Sequence, residues 1–372
     1  MQAILKAPLY KRSQPTNEVA ASGYLPAGSV VNVESMVQGK AIDGNSTWVK
    51  ATDGFHYWAD DSVMTRVPIA FDPTKMSWGH RVLDIPGVWA QLGTSGAGCL
   101  VAVIDTGVVA TNPDLSPNIH SSSKSFVTGD TTLTDQVGHG TNMAGIIAAT
   151  GKNIVYGVAP EAQLLVLKVS NQAVNWDVPT FVDALNYAAN NKNVDIISIS
   201  YGSHVNDPRV STAIQTCIDN KKIVVAAIGD NHNPMANGAP DRDLFPACYN
   251  TGAPPDSGVL AVGAFDISGV LCIFSGWSPH LGLLAPGDDS ILTTGPGNVP
   301  VNGGETSIAT AFTAGCLALM VSYNKVNNSA SPVDCVKALR DTCDAQGGGF
   351  SIQSGYGKID LKNAIQKILK KT

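Results

Sequence analysis

The sequence carries little charge: 15% Asp, Glu, Lys and Arg against 44% hydrophobic residues. That charge sums to −6, so there is no basic surplus to draw nucleic acid or an anionic membrane as partner. The basic close of the chain, KILKK, suits a helix end, where it complements the dipole. Seven cysteines occur without a Cys-x-x-Cys pair, which speaks against a zinc site. Cys99, Cys272 and Cys316 stand in apolar runs, where a thiol acts as a small hydrophobe. Cys335 and Cys343 could meet in a disulfide, although reduced thiols are the simpler expectation. No apolar stretch approaches the ~20 residues of a membrane span. The opening MQAILKAPLYKR lacks the long apolar segment of a secretory signal. Localisation therefore stays open: cytoplasmic if Met1 is the native start, secreted if a signal has been trimmed.

What is present divides the 372 residues unequally. Residues 1–66 hold short β-type runs, SVVNVES and TWVKAT, separated by the turn clusters PAG, DGNS and TDG. Close turns of this kind predict a small antiparallel barrel. LPAGSVVNVES followed by STWVKATDGFHYWADDSV resembles a bacterial Src-homology-3-like domain. Its aromatic residues Trp48, Phe55, Tyr57 and Trp58 either line a ligand groove or fill a small core, and the core is the better expectation. Residues 67–76 form a Pro-containing linker, and 77–372 a second domain.

In that domain CLVAVID, QLLVLKV, DIISISY, KIVVAAI and VLAVGAF are continuous and β-branched, as strands buried on both faces should be. TFVDALNYAANN and RVSTAIQTCIDN between them have helical spacing. Strands alternating with helices predict a mainly parallel, doubly covered sheet. Sites in such folds gather at the carboxyl ends of strands. Asp105 ends the first strand in VAVIDTGV, and no G-x-G-x-x-G follows, so a nicotinamide site is excluded. His139 lies between Gly138 and Gly140 before a run of small and apolar residues, where a substrate can approach closely. Ser307, in GGETSIATAFTAGCLALM, opens a helix apolar nearly all round, so that helix is central. A serine there either caps the helix or acts as a nucleophile with the helix amides beside its oxyanion.

Each element alone is ambiguous. Together VIDTG, GHGT and ETSIA, in the order Asp, His, Ser, resemble the subtilase family over residues 77–372. SWGHRVLDIPGVWAQLG and GYGKIDLKNAI extend the likeness. It implies an α/β, subtilisin-like three-layer fold with a mainly parallel sheet, beside the small N-terminal all-β barrel. It also implies a serine endopeptidase acting on polypeptides, with Asp105, His139 and Ser307 as orienting acid, general base and nucleophile. SISYGS resembles the family's substrate-binding edge, which implies Ser200, Tyr201 and Gly202, with Gly229 opposite, as substrate-binding residues.

The sequence also departs from that family. The oxyanion-hole segment, ordinarily A-A-G-N, reads AAIGDN, placing Asp230 beside Ser307 as the expected oxyanion residue. An ionised carboxylate only accepts hydrogen bonds; Asn231 is the substitute donor if the loop shifts by one residue. A protonated Asp230 and a neutral His139 would best coexist at mildly acidic pH. Glu305 replaces a glycine of G-T-S, Ala311 a proline, and Ile308 the common methionine. Asp114 in NPDL matches a family calcium ligand, but the partner loop is one residue short and contains Lys152, so calcium is not favoured and no cofactor is expected. The rival function is a catalytically impaired binding or regulatory protein, with the barrel and an acidic cleft as its surfaces.

Overall fold

β-branched runs between turn residues become strands, and their alternation builds the N-terminal unit. The computed structural model describes residues 2–27, 29–60, 63–67, 71–172, 176–230, 243–249, 258–327, 331–345 and 348–369. The chain divides into Met1–Phe71 with Pro86–Thr94, and Asp72–Ile85 with Ser95–Thr372. In the first unit β1 (Gln2–Leu5), β4 (Val30–Ile42), β5 (Asn45–Ala51), β6 (His56–Trp58) and β7 (Met64–Val67) form an antiparallel sheet. Their order is β6–β5–β4–β1–β7, and β2 (Leu9–Tyr10) pairs separately with β3 (Tyr24–Leu25). Leu5, Val31, Val49, Tyr57 and Met64 meet in its core. Trp48 is also buried; its indole donates to Lys40 O, and the Tyr57 hydroxyl donates to Asp53. Trp48 and Tyr57 therefore fill the interior with their polar ends satisfied. The division differs from a linker drawn at 67–76, because Pro86–Thr94 joins the first unit. There buried Trp89 meets Phe71 edge-on, with ring centroids 6.0 Å apart.

In the second unit seven described strands form a parallel sheet ordered β14–β13–β12–β11–β8–β10–β9. They are β8 (Leu100–Asp105), β9 (Lys124–Ser125), β10 (Gln163–Lys168), β11 (Ile196–Ile199), β12 (Ile223–Ala227), β13 (Leu260–Phe265) and β14 (Leu281–Pro286). The central strands are buried throughout, the pattern of a sheet covered on both faces. Its helices are α1 (Trp78–Val82), α2 (Ile85–Leu92, shared between the units), α3 (His139–Ala148), α4 (Val178–Asn190), α5 (Pro208–Asp219), α6 (Thr306–Asn327), α7 (Pro332–Asp341) and α8 (Leu361–Leu369). A hairpin of β15 (Ile291–Thr294) and β16 (Pro300–Gly303) adjoins α3.

Helix α6 corrects one expectation. Its 22 residues are long and apolar enough to cross a membrane by length and composition, contrary to the reading that no stretch approaches that length. In this unit 94% of its apolar window is buried, so its hydrophobicity serves the core. All seven cysteines are free.

Parallel register brings the chemistry to one end. Ile104 lies opposite Ile199 and Asp105 opposite Lys168. Asp105, Ser200–Gly202 and Gly229–Asp230 thereby leave the sheet at its carboxyl edge.

Candidate active site

Asp105 is buried at the end of β8. Its Oδ1 accepts from Thr106 N at 2.7 Å and lies 2.8 Å from His139 Nδ1. His139 is the first residue of α3, entered through Gly138 at φ 97°. A Cβ on Gly140 would stand 2.3 Å from Gly107 O, so α3 can approach the Asp105 turn only with glycine there.

Sequence reasoning missed what holds these loops. Buried Asp135 accepts from Thr106 Oγ1, Val137 N, Gly138 N, Thr141 N and Thr141 Oγ1. Burial opposes its charge, yet these donors hold its carboxyl below the ordinary range. The fully buried Lys168 ammonium pairs with Asp130 at 2.7 Å and donates to Thr134 O at 2.5 Å. Asp135 had one signal, an acid four residues before His139. Lys168 had only the oddity of a cation inside an apolar strand.

Ser307 is buried in the first turn of α6. The Asp230 loop is tied to that turn: Thr306 N donates to Asp230 Oδ1 at 2.6 Å, and Gly229 N to Thr306 Oγ1 at 3.2 Å. Burial raises the Asp230 carboxyl above its ordinary range, the Thr306 amide opposes this, and the Glu305 charge adds to it. Asn231 lies outside the described residues.

Glu305, two residues before Ser307, faces His139. Its Oε2 is 3.6 Å from His139 Nε2, and the neighbouring His139 and Ser307 side chains hold its carboxyl below the ordinary range. Burial disfavours charge on His139, but Asp105 on one ring nitrogen and Glu305 on the other outweigh it, pushing the imidazole up to about 10. The raised imidazole differs from the neutral His139 that the sequence reading expected at mildly acidic pH. The Tyr201 ring lies 6.0 Å from the imidazole. Gly202 and Gly229 both face Leu244, whose side chain would stand 2.4 Å and 3.0 Å from a Cβ on each.

The sequence profile described as the Subtilase family matches residues 96–357. The chain belongs to the subtilase family. It is similar to the "Intracellular serine protease" of Paenibacillus polymyxa, at 36% identity over 65% of this chain and 72% of that one. The "Major intracellular serine protease" of Bacillus subtilis is 34% identical over 68% and 77% of the two chains. "Subtilisin DY" of Bacillus licheniformis is 33% identical over 78% and 98%. With the family and these relatives, the chain is a subtilisin-like serine endopeptidase.

At the subtilase loop opposite Asp114, the carboxylate is already taken. It accepts from Thr150 Oγ1, Asn153 N, Asn153 Nδ2, Ile154 N and Val155 N. The Lys75 ammonium donates to the loop carbonyls of Gly151 at 3.1 Å and Lys152 at 2.9 Å. Elsewhere Asp243, Cys248 and His280 bring oxygen, sulfur and nitrogen donors within 4.8 Å of one another, a set suited to a soft divalent cation.

Proposed function

We propose that Ser307 is the nucleophile of this endopeptidase, His139 its general base and Asp105 the group that orients the imidazole. Ser307 Oγ attacks the peptide carbonyl as His139 Nε2 takes its proton. His139 returns that proton to the leaving amine, and water then hydrolyses the acyl-enzyme. The observation that carries this reading is the Asp105–His139 contact at 2.8 Å, with Glu305 3.6 Å from the other ring nitrogen and Ser307 buried in the first turn of α6.

The Ser307 amide and a protonated Asp230 are proposed as oxyanion donors. Polypeptide substrate is proposed to lie along Ser200, Tyr201, Gly202 and Gly229, with Leu244 as an apolar wall for the residue before the cut. The saturated Asp114 carboxylate and the Lys75 ammonium support a protease that needs no calcium at that loop. The N-terminal unit is proposed to be a Src-homology-3-like module that targets or regulates the peptidase, on the support of its five-stranded antiparallel sheet.

Ser307→Ala tests the assignment. It should lose labelling by a fluorophosphonate and lower casein hydrolysis on the order of 10⁶-fold, with an unchanged circular dichroism spectrum. A folded variant that digests casein at the parent rate would remove Ser307 from the role.

A further inference from the structure

The imidazole of His139 has a carboxylate at each ring nitrogen. Asp105 lies 2.8 Å from Nδ1 and Glu305 3.6 Å from Nε2. The second arrangement engages the atom that must accept the serine proton. Glu305 thus stands at the ring nitrogen through which the base would address the nucleophile. Its side chain is 52% exposed, so it has room to swing away, whereas that of Asp105 is fixed at 1%.

The groups facing the imidazole are Asp105 from β8, Tyr201 after β11, Asp230 after β12 and Glu305 before α6, with Asp135 beneath the turn. Asp288 and Asp289 follow β14 close by, and a Cβ on Gly304 would stand 2.2 Å from Asp289 N. Among the described residues the only ion pair of Glu305 is with His139. A cation brought by substrate would therefore find an acidic wall whose innermost member is paired only with the catalytic base.

We propose that Glu305 is a latch on the His139–Ser307 pair, released by a lysine or arginine in the residue that follows the cut. This rests on the triad reading above. The position follows from the chemistry: His139 Nε2 protonates the leaving amine, so a group bound by Glu305 lies beside the first residue on the leaving side. In the latched state His139 holds both ring protons, and its ion pair with Glu305 keeps it charged. When Glu305 turns to the substrate cation, the imidazolium releases its Nε2 proton to solvent. The neutral ring then accepts the Ser307 proton. The raised proton affinity of His139, up to about 10, agrees with a base held out of use near neutrality.

The test uses the full chain, its Glu305→Gln and Glu305→Gly variants, and three quenched peptides differing only in Lys, Ala or Glu after the cleaved bond. Melting temperatures establish that both variants are folded. At pH 8 and low salt the parent should prefer Lys to Glu by about tenfold or more in kcat/KM, one proton-equilibrium unit of interaction. Salt should shrink that preference. In both variants it should fall to about threefold or less, and the acidic limb of kcat/KM on the Ala peptide, set by His139, should move down by about one pH unit. A parent with no Lys preference, a preference that survives in either folded variant, or an unmoved limb would each overturn the latch. A parent inert to all three peptides and to fluorophosphonate would instead overturn the triad reading, and the latch with it.

Discussion

Two loops of the peptidase unit carry acidic residues where the sequence breaks from the subtilase pattern or bears on its metal site, and they resolve them in opposite ways. At Asp114 the charge is answered wholly by donors from residues 150–155, while Lys75 caps the carbonyls of Gly151 and Lys152. At the approach to Ser307 no lysine or arginine answers Asp230 or Glu305 among the described residues. Asp230 takes one amide, from Thr306, and the charge partner of Glu305 is His139, the proposed general base. A carboxylate surrounded by fixed donors is structural, since its partners do nothing else. A carboxylate paired with the general base shares that base's proton and so bears on rate. The contrast predicts which substitutions move stability and which move turnover.

The largest effect belongs to Asp105, the reference against which Glu305 is measured. Asp105→Asn should keep the fold and lower kcat by about 10⁴-fold, because an amide no longer selects the imidazole tautomer. A loss under tenfold on a peptide substrate would mean that Glu305 can orient His139 by itself. Next is Asp114→Ala, which strands the amides of Asn153, Ile154 and Val155, the last of them buried. It should cost about 3 kcal/mol of unfolding free energy, read from urea melts, while kcat/KM of the folded fraction stays near the parent value. Lost turnover without lost stability would erase the distinction between the loops.

Much of this was legible in the sequence, for reasons tied to particular residues. CLVAVID, DIISISY and KIVVAAI read as strands because β-branched runs buried on both faces have few alternatives. They became β8, β11 and β12. The hairpin of β15 and β16 was not legible, since ILTT and PVNG are short and half polar. Asp135 and Lys168 escaped because their meaning lies in partners across the fold: Thr106 is 29 residues from Asp135, and Thr134 is 34 from Lys168. The hydrophobicity of α6 marked a buried helix, but its length was underestimated. Glu305 stood out as a departure from the family pattern. Its reach to His139 depends on the path of the chain from β16 into α6, which no local pattern encodes.

Asp230→Asn follows in size and separates two acids that the sequence treats alike. One oxygen of Asp230 accepts the Thr306 amide, and an asparagine oxygen can keep that bond while its NH₂ supplies a donor at every pH. The native carboxyl donates only when protonated, and burial raises the pH at which it does so. The gain in kcat should therefore grow as pH rises, reaching about 10 to 10² under alkaline conditions. KM should change little, because the interaction matures in the transition state. Equal kcat for parent and variant from pH 6 to 10 would show that Asp230 points away from the oxyanion.

The smallest expected effect is the one that tests the Asp114 loop without mutation. Calcium binding to the native state would stabilise it by mass action, so chelation would lower the melting temperature. Here the carboxylate faces N–H and O–H donors, which repel a cation, and the Lys75 ammonium already neutralises two carbonyl dipoles. Excess EGTA should therefore shift the melting temperature by no more than about 1 °C, and added calcium should not raise it. Lys75→Met removes the internal cation and leaves those carbonyls short of donors, which should lower stability by about 1–2 kcal/mol. If EGTA alone lowers the parent's melting temperature by about 5 °C or more, roughly 3–4 kcal/mol in a protein of this size, then a calcium ion rather than Lys75 holds the loop. The two acidic regions would then differ in their cation and not in their logic.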